Sequence, residues 1–210
     1  MEQKNRRALS KAVAVELRAR AKGSGWKIAQ GWLFREDDGW FVEACPLIHL
    51  ADSTLRFEMR AKPMSLDPVF WEIAGTQGNE KMPLSFRLFG AWTVSIPAAK
   101  VVQMDGGSLD AARVAEEILQ VAQRELEESR VNRSIEGFLE DVQQHHSRLS
   151  SRPYLPAIVC SLIVLGRRDD ARAICVAAHV KQEIGGFLGG ARTFVDLAIA
   201  WLDRELPTKH

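Results

Sequence analysis

The 210-residue chain has few cysteines, no long apolar run and almost no net charge. Its three cysteines, Cys45, Cys160 and Cys175, are odd in number and widely spaced, which favours buried thiols in a reducing compartment over a disulfide framework. No stretch approaches the roughly 20 apolar residues that a membrane helix requires. A formal net charge of +1 gives the molecule no general attraction to nucleic acid or to an anionic membrane. We therefore expect a cytoplasmic protein without a membrane partner.

The sequence also lacks the usual motifs of catalytic and metal sites. It contains no H-E-x-x-H, C-x-x-C or G-x-S-x-G string. The neighbours His145 and His146 would point about 100° apart on a helix and would not easily share one ion. We predict no cofactor and no metal site. The alternative is an enzyme whose site assembles only in three dimensions, from polar residues such as His49, Glu43 or Arg192.

What the sequence does contain is a strong β-hairpin pattern in residues 26–50. Two apolar and aromatic runs flank residues 36–39, Glu-Asp-Asp-Gly, where aspartate and glycine favour a tight turn. Period-two spacing predicts that Trp26, Ile28, Trp32 and Phe34 lie on one face of a single first strand. A basic helix precedes this hairpin and ends at residues 23–25, Gly-Ser-Gly.

Two further segments alternate strictly between apolar and polar residues, residues 54–62 and 84–96. With the hairpin, they predict a four-stranded, mostly antiparallel sheet covered by helices. Asp67-Pro68 predicts a helix N-cap between them. After residue 104 the apolar period becomes helical to the end of the chain. We therefore predict an α+β fold with a sheet domain over residues 1–104 and a helical domain over residues 105–210, packed against the sheet or continuous with it.

The polar face of the predicted sheet is basic. Its candidate partner-binding residues are Arg35, Arg56, Arg60, Lys62 and Arg87. Such a face suits an acidic partner protein, and a solvated face with no partner is the simplest alternative. Nucleic acid is a third candidate, with the basic first helix extending the surface. The predicted strands place Phe57, Phe86 and Trp92 on the opposite face, so they would not offer bases a stacking platform.

Two stretches resemble known families. Residues 25–42, G-W-K-I-A-Q-G-W-L-F-R-E-D-D-G-W-F-V, together with residues 66–73, L-D-P-V-F-W-E-I, resemble bacterial α+β domains of unknown function. That resemblance implies an α+β fold and a role in toxin immunity or phage defence. Residues 162–174, L-I-V-L-G-R-R-D-D-A-R-A-I, are similar to the inter-helix turn of tetratricopeptide-like repeats, although any short-looped helical hairpin gives the same string.

These observations favour a non-enzymatic bacterial protein-interaction module, such as a toxin-immunity or phage-defence accessory protein. Its predicted partner is another protein, with acidic proteins as the leading candidates. Nucleic-acid binding through the basic sheet face and first helix is the first alternative, and the three-dimensionally assembled enzyme is the second. The sequence does not predict an oligomeric state.

Overall fold

A computed structural model describes residues 2–49, 54–88, 92–98, 100–105, 110–131, 133–149, 154–185, 188–189 and 191–204. The chain divides into two compact units. Unit 1 comprises Met1–Ala61 and Ala98–Asn132, and unit 2 comprises Lys62–Pro97 and Arg133–His210. Each unit is therefore built from two separate segments, whereas the predicted division cut the chain once, after residue 104. Within the described ranges, every helix is too short or too polar to span a membrane.

Unit 1 contains the sheet, which has five strands in the order β1-β2-β3-β4-β5. The strands are β1 (Lys27–Ala29), β2 (Trp32–Asp37), β3 (Trp40–His49), β4 (Thr54–Pro63) and β5 (Lys100–Asp105). The pairings β1–β2, β2–β3 and β4–β5 are antiparallel. The last two residues of β4 belong to unit 2. The predicted α+β class with an antiparallel sheet is confirmed, with five strands instead of four.

Two tight turns shape the start of the sheet. The expected turn lies between β2 and β3, where Asp38 and Gly39 both have positive φ angles, of 49° and 74°. A second such turn at Gln30 and Gly31 divides the predicted first strand into β1 and β2. The prediction that Trp26, Ile28, Trp32 and Phe34 share one face is therefore wrong, because the extra turn changes the register of the residues that follow it.

Helices cover one face of this sheet. They are α1 (Glu2–Arg20) and α3 (Ala111–Arg130). Leu17 of α1 and Ile118 of α3 belong to one buried cluster with Leu33, Val42 and Phe57 of the sheet. The cluster forms because leucine, valine and isoleucine recur at helical spacing in the two helices, while alternate strand residues point towards them.

Unit 2 is mainly helical. It contains α2 (Leu66–Ala74), α4 (Ile135–Arg148), α5 (Leu155–Val164), α6 (Arg168–Val180) and α7 (Phe194–Arg204). A short antiparallel pair, β6 (Leu188–Gly189) and β7 (Arg192–Thr193), precedes α7. Helix α5 is buried along eight consecutive residues, as expected for a segment that is apolar on nearly all sides. The predicted helical hairpin at residues 162–174 is present, and Gly166, with φ of 74°, ends its first helix.

The largest error of sequence interpretation concerns residues 84–96. They were expected to form a strand, but Leu84–Leu88 is a 3-10 helix, as is Gln77–Lys81 before it. Residues 94–98 have no regular secondary structure. Leu88 and Val94 are nevertheless buried. The alternation therefore predicted burial only in part, because Trp92, expected on the apolar face, is 46% exposed and Thr93 beside it is buried. Burial alone also does not specify sheet pairing. The strand that follows β4 in the sheet is β5 instead.

Candidate interaction surfaces

The five predicted partner-binding residues do not form one basic surface. Arg35, Arg56 and Arg60 belong to unit 1, whereas Lys62 and Arg87 belong to unit 2. Each of the five forms an ion pair with a carboxylate of its own unit. Their positive charges are therefore largely compensated before any partner arrives.

Arg56 and Arg60 lie in a row of alternating charge on the sheet. Arg56 is 2.8 Å from Glu58, and Arg60 is 2.6 Å from Glu58 and 3.2 Å from Glu43 on the neighbouring strand. The Arg60 guanidinium also covers Trp32, 5.6 Å from the ring centre. Two arginines and two glutamates leave this row without net charge. Arg56 is the most accessible of the four, with its side chain 49% exposed.

Arg35 occupies the opposite face of the sheet. The register pairs it with Val42 and pairs Leu33 with Ala44, so Arg35 shares the face of the helix-covered core. Its guanidinium lies 5.6 Å from the ring centre of Trp26 and 3.5 Å from Asp37. Arg130 of α3 binds the same aspartate through two nitrogens. These contacts connect the end of α3 to the β2–β3 hairpin.

Lys62 and Arg87 belong to a buried charge cluster in unit 2. The Lys62 side chain is only 2% exposed, and its Nζ donates to Asp67 at 2.9 Å and to the Val94 carbonyl at 3.2 Å. Arg87 donates to the other oxygen of Asp67 and stacks over Trp71 at 4.8 Å. Asp67 also accepts from the Val94 backbone N–H at 2.9 Å.

This cluster corrects three predictions. Lys62 is not on an exposed polar face, because its ammonium is needed beside the buried Asp67. Arg87 is not on a strand, because Leu84–Leu88 is a 3-10 helix. Asp67 is not an N-cap, because α2 begins one residue earlier and Asp67 lies inside its first turn.

The cysteine thiols are potential nucleophiles, and they lie inside the fold. All three cysteines are free and buried. Burial raises the pKa of the Cys45 thiol to about 11 and that of Cys175 to about 12, and it raises the pKa of Cys160 well above its ordinary value. Thiols with such pKa values are almost fully protonated at neutral pH and are poor nucleophiles.

The three residues named for an assembled enzyme site are placed differently. Glu43 is buried against Arg60. Arg192 is exposed and donates to the Asp196 carbonyl at 3.4 Å. The side chain of His49 lies outside the described residues, although its backbone ends β3. In the described ranges, no group of three His, Cys, Asp or Glu side chains is arranged to hold a metal ion.

Unit 1 also contains a small cleft. Its volume is about 230 Å³, and it is lined by Met59, Ala61, Lys100, Glu125, Glu128 and Ser129. The Lys100 ammonium lies 3.1 Å from the buried Glu125 and 3.6 Å from Glu128. These contacts raise the Lys100 pKa, first through its hydrogen bond to Glu125. The two carboxylates of the cleft are therefore already paired with the Lys100 ammonium.

Helix α1 presents exposed cations that are available to bind a partner. Lys11, Val15 and Arg18 recur at i, i+4 and i+7 and are exposed, and Lys22 continues the spacing two residues beyond the helix. We call these four residues the α1 basic face. Among the described residues, no carboxylate forms an ion pair with Lys11, Arg18 or Lys22, whereas Arg20 of the same helix pairs with Glu16 and Glu116.

No protein-family model, curated protein or solved structure matches the chain.

A second exposed surface lies on α6 in unit 2. Ala173, Val176, Ala177 and Val180 recur at i, i+3, i+4 and i+7 and are all exposed. We call these four residues the α6 stripe. Val180 is 77% exposed, and Ile184, which follows the helix, is 52% exposed.

The sequence analysis did not single out this surface. The side of α6 that faces the core carries Ala171, Ile174, Cys175 and Ala178, which also recur at i, i+3, i+4 and i+7. One apolar side is enough to pack a helix against a core, so the second apolar side of α6 is not needed for that packing. Counting apolar residues on both sides of the helix would have revealed it.

Proposed function

We propose that this chain is a non-enzymatic bacterial interaction protein that binds an acidic partner protein through the α1 basic face. The observation that carries the proposal is the contrast between two groups of cations. Arg35, Arg56 and Arg60 are paired with carboxylates of unit 1, whereas Lys11, Arg18 and Lys22 are exposed and form no ion pair with any carboxylate that the structure describes. Unpaired cations on one line provide the complementarity that an acidic surface requires.

Three features favour a protein partner over nucleic acid. Val15 is 63% exposed between the cations and offers apolar contact, which protein interfaces use at their centres. Arg60 covers one face of Trp32, the aromatic ring beside the sheet arginines, which leaves bases less ring surface on which to stack. The net charge of +1 adds no long-range attraction to a polyanion.

The biological setting of the proposal comes from the resemblance of the first half to bacterial domains of unknown function. That resemblance supports a toxin-immunity or phage-defence accessory role. An immunity protein typically acts by binding its target and needs no catalytic group, which is compatible with three buried thiols of raised pKa.

The test is charge reversal on the α1 basic face. The triple variant Lys11→Glu, Arg18→Glu and Lys22→Glu should lose the protein that co-purifies with the tagged wild-type chain from its native host. With the purified partner, the dissociation constant should rise roughly tenfold or more, because three exposed ion pairs contribute about 0.2–1 kcal/mol each and the new charges add repulsion. A matched control reverses Lys81, Arg148 and Arg204, which are also exposed and change the net charge equally.

Retention of the partner by the triple variant, or its loss from both variants, would reject the α1 basic face as the binding surface. A labelled 30-base-pair duplex separates the nucleic-acid alternative. If nucleic acid is the ligand, binding to the duplex should weaken steeply with salt, with a logarithmic slope of about 3 for three phosphate contacts. No stoichiometric protein should then co-purify.

A further inference from the structure

Helix α1 has a second apolar side that its packing inside unit 1 does not use. Val13 and Leu17 belong to the buried cluster of that unit, and Leu9 packs against it. Four exposed residues share the opposite side of the helix: Ala8, Ala12, Val15 and Ala19. We call these four residues the α1 seam.

The spacing of the α1 seam is that of a heptad repeat. Its members recur at i, i+4, i+7 and i+11, so they form one line along the helix. In a coiled coil this line occupies the a and d positions and faces a second helix. Three of the four members are alanine, whose small side chains let a facing helix approach closely and place its larger side chains between them. The α1 seam therefore suits a helix as its occupant.

The charge on one flank of the α1 seam is entirely positive. Lys11 and Arg18 each precede a seam alanine by one residue, so both occupy the g position of the heptad. Both are exposed and form no ion pair with a carboxylate that the structure describes. Residues at g form the ion pairs between helices that determine partner choice. Two unpaired cations at g therefore favour a helix with glutamate or aspartate on its facing flank.

The charge on the other flank is already paired within unit 1. Glu16, at the e position, lies 3.6 Å from Arg20, and Arg20 also lies 3.3 Å from Glu116 of α3. Two antiparallel copies of α1 would place the g cations of one helix against those of the other, because g faces g in that arrangement. Parallel copies would need Glu16, which is paired with Arg20. An acidic helix is therefore a better occupant than a second copy of this chain.

We propose that the α1 seam binds an acidic amphipathic helix of the partner protein, whose carboxylates lie against Lys11 and Arg18. This inference rests on the proposed function, because it names the part of the acidic partner that contacts α1. One helix face is small compared with the roughly 800 Å² per partner of a standard interface, so an isolated acidic helix should bind weakly. The binding should also weaken with salt, because the ion pairs are exposed.

The first test uses a synthetic peptide of about three heptads, with leucine at a and d and glutamate at e and g. The full chain, at up to about 500 μM, is titrated into a trace of the fluorescently labelled peptide, and anisotropy measures binding. A second peptide with lysine at e and g is the matched control. The glutamate peptide should bind at least about tenfold more tightly, because ion pairs with Lys11 and Arg18 replace like-charge contacts.

The second test changes the α1 seam and leaves the charge of the chain unaltered. Ala12→Gln with Ala19→Gln should weaken binding of the glutamate peptide, and of the co-purified partner, at least about fivefold. The glutamines fill the space in which the facing helix packs, and their amides lose water in the contact. Ala173→Gln with Ala177→Gln is the matched control, since both alanines are exposed on α6 of unit 2. Circular dichroism should show unchanged helix content in both double variants.

Three outcomes would overturn the inference. They are glutamate and lysine peptides that bind equally or not at all, equal effects of the α1 and α6 double variants, and self-association of the wild-type chain that the α1 double variant abolishes. The last outcome would assign the α1 seam to a second copy. The proposed function has a separate test: if charge reversal on α1 removes the partner but Ala12→Gln with Ala19→Gln does not, the proposed function stands and the acidic helix is rejected.

Discussion

Three arginines of this protein have the same surroundings. Each guanidinium lies over a tryptophan and binds a carboxylate: Arg35 with Trp26 and Asp37, Arg60 with Trp32 and Glu43, and Arg87 with Trp71 and Asp67. Arginine suits this position because its planar group can stack on a ring while its edge donates hydrogen bonds. Residues that looked like a basic binding patch therefore stabilise the fold.

At Asp67 we predict a large effect on stability. Asp67→Asn should lower the free energy of unfolding by about 3–5 kcal/mol, because it leaves Lys62 without its buried counter-ion and weakens the contact to Arg87. Glu72→Gln, on the exposed side of the same helix, is the control and should change it by less than about 0.5 kcal/mol. Urea denaturation measures both. Equal midpoints for the two variants would mean that the cluster does not stabilise unit 2.

Among the helices, α7 begins with a reciprocal cap. The Asp196 backbone N–H donates to Thr193 Oγ1 at 3.2 Å, and the Thr193 backbone N–H donates to Asp196 Oδ2 at 3.0 Å. The Thr193 hydroxyl also donates to Asp196, and His179 of α6 contacts the same carboxylate. These hydrogen bonds, those from Thr193 first, lower the pKa of Asp196. The cap thus positions the start of α7 beside the end of α6.

Thr193→Ala should destabilise the protein by about 1 kcal/mol at pH 7, as the loss of other N-caps does, and Thr193→Ser should retain most of the stability. The pKa of Asp196 is lower in the folded chain, so its contribution is present above its unfolded pKa of about 4 and is lost as the pH falls through the folded value. The difference between wild type and Thr193→Ala should therefore shrink below pH 4. Thermal unfolding from pH 3 to 7 measures this, and a constant difference across that range would contradict the mechanism.

The elements also show how far sequence reasoning reaches. The turn at Asp38-Gly39 follows from local chemistry and is confirmed. The cap at Ser134, whose side chain accepts from the Gly137 N–H, and the burial of the apolar α5 also agree with the local sequence. The prediction of a strand at residues 84–96 is wrong. Arg87 and the Val94 N–H of this segment donate hydrogen bonds to Asp67. No local sequence pattern predicts these contacts. Strand β5 was not predicted for a similar reason, because its pairing with β4 depends on tertiary structure.

The candidate surfaces were predictable only in part. The basic residues of α1 are visible in the sequence, but whether each has a carboxylate partner depends on the fold. Glu116, which pairs with Arg20, is 96 residues away. The two apolar sides of α6 are visible in the sequence, but which of them is exposed depends on the fold.

Across the whole molecule, each unit has its own buried cluster, one with Phe57 and Ile118 and the other with Phe70 and Phe194. Protection from amide exchange should follow depth within these clusters. We expect α5, with eight consecutive buried residues, to exchange at least about a hundredfold more slowly than Gln77–Lys81, which has no buried residue. Hydrogen–deuterium exchange with mass spectrometry measures both segments. Similar rates would show that α5 opens as readily as a surface turn.

The division of each unit into two separate segments has a consequence for synthesis on the ribosome. Unit 1 needs β5 and α3, which come after residue 98, so its sheet stays incomplete while the first hundred residues emerge. A nascent chain stalled after Pro97 would carry β4 without β5, leaving an open edge of the kind that promotes aggregation. Unit 1 cannot finish folding before α3 (Ala111–Arg130) has been translated, and unit 2 cannot finish before α7 (Phe194–Arg204) has been translated.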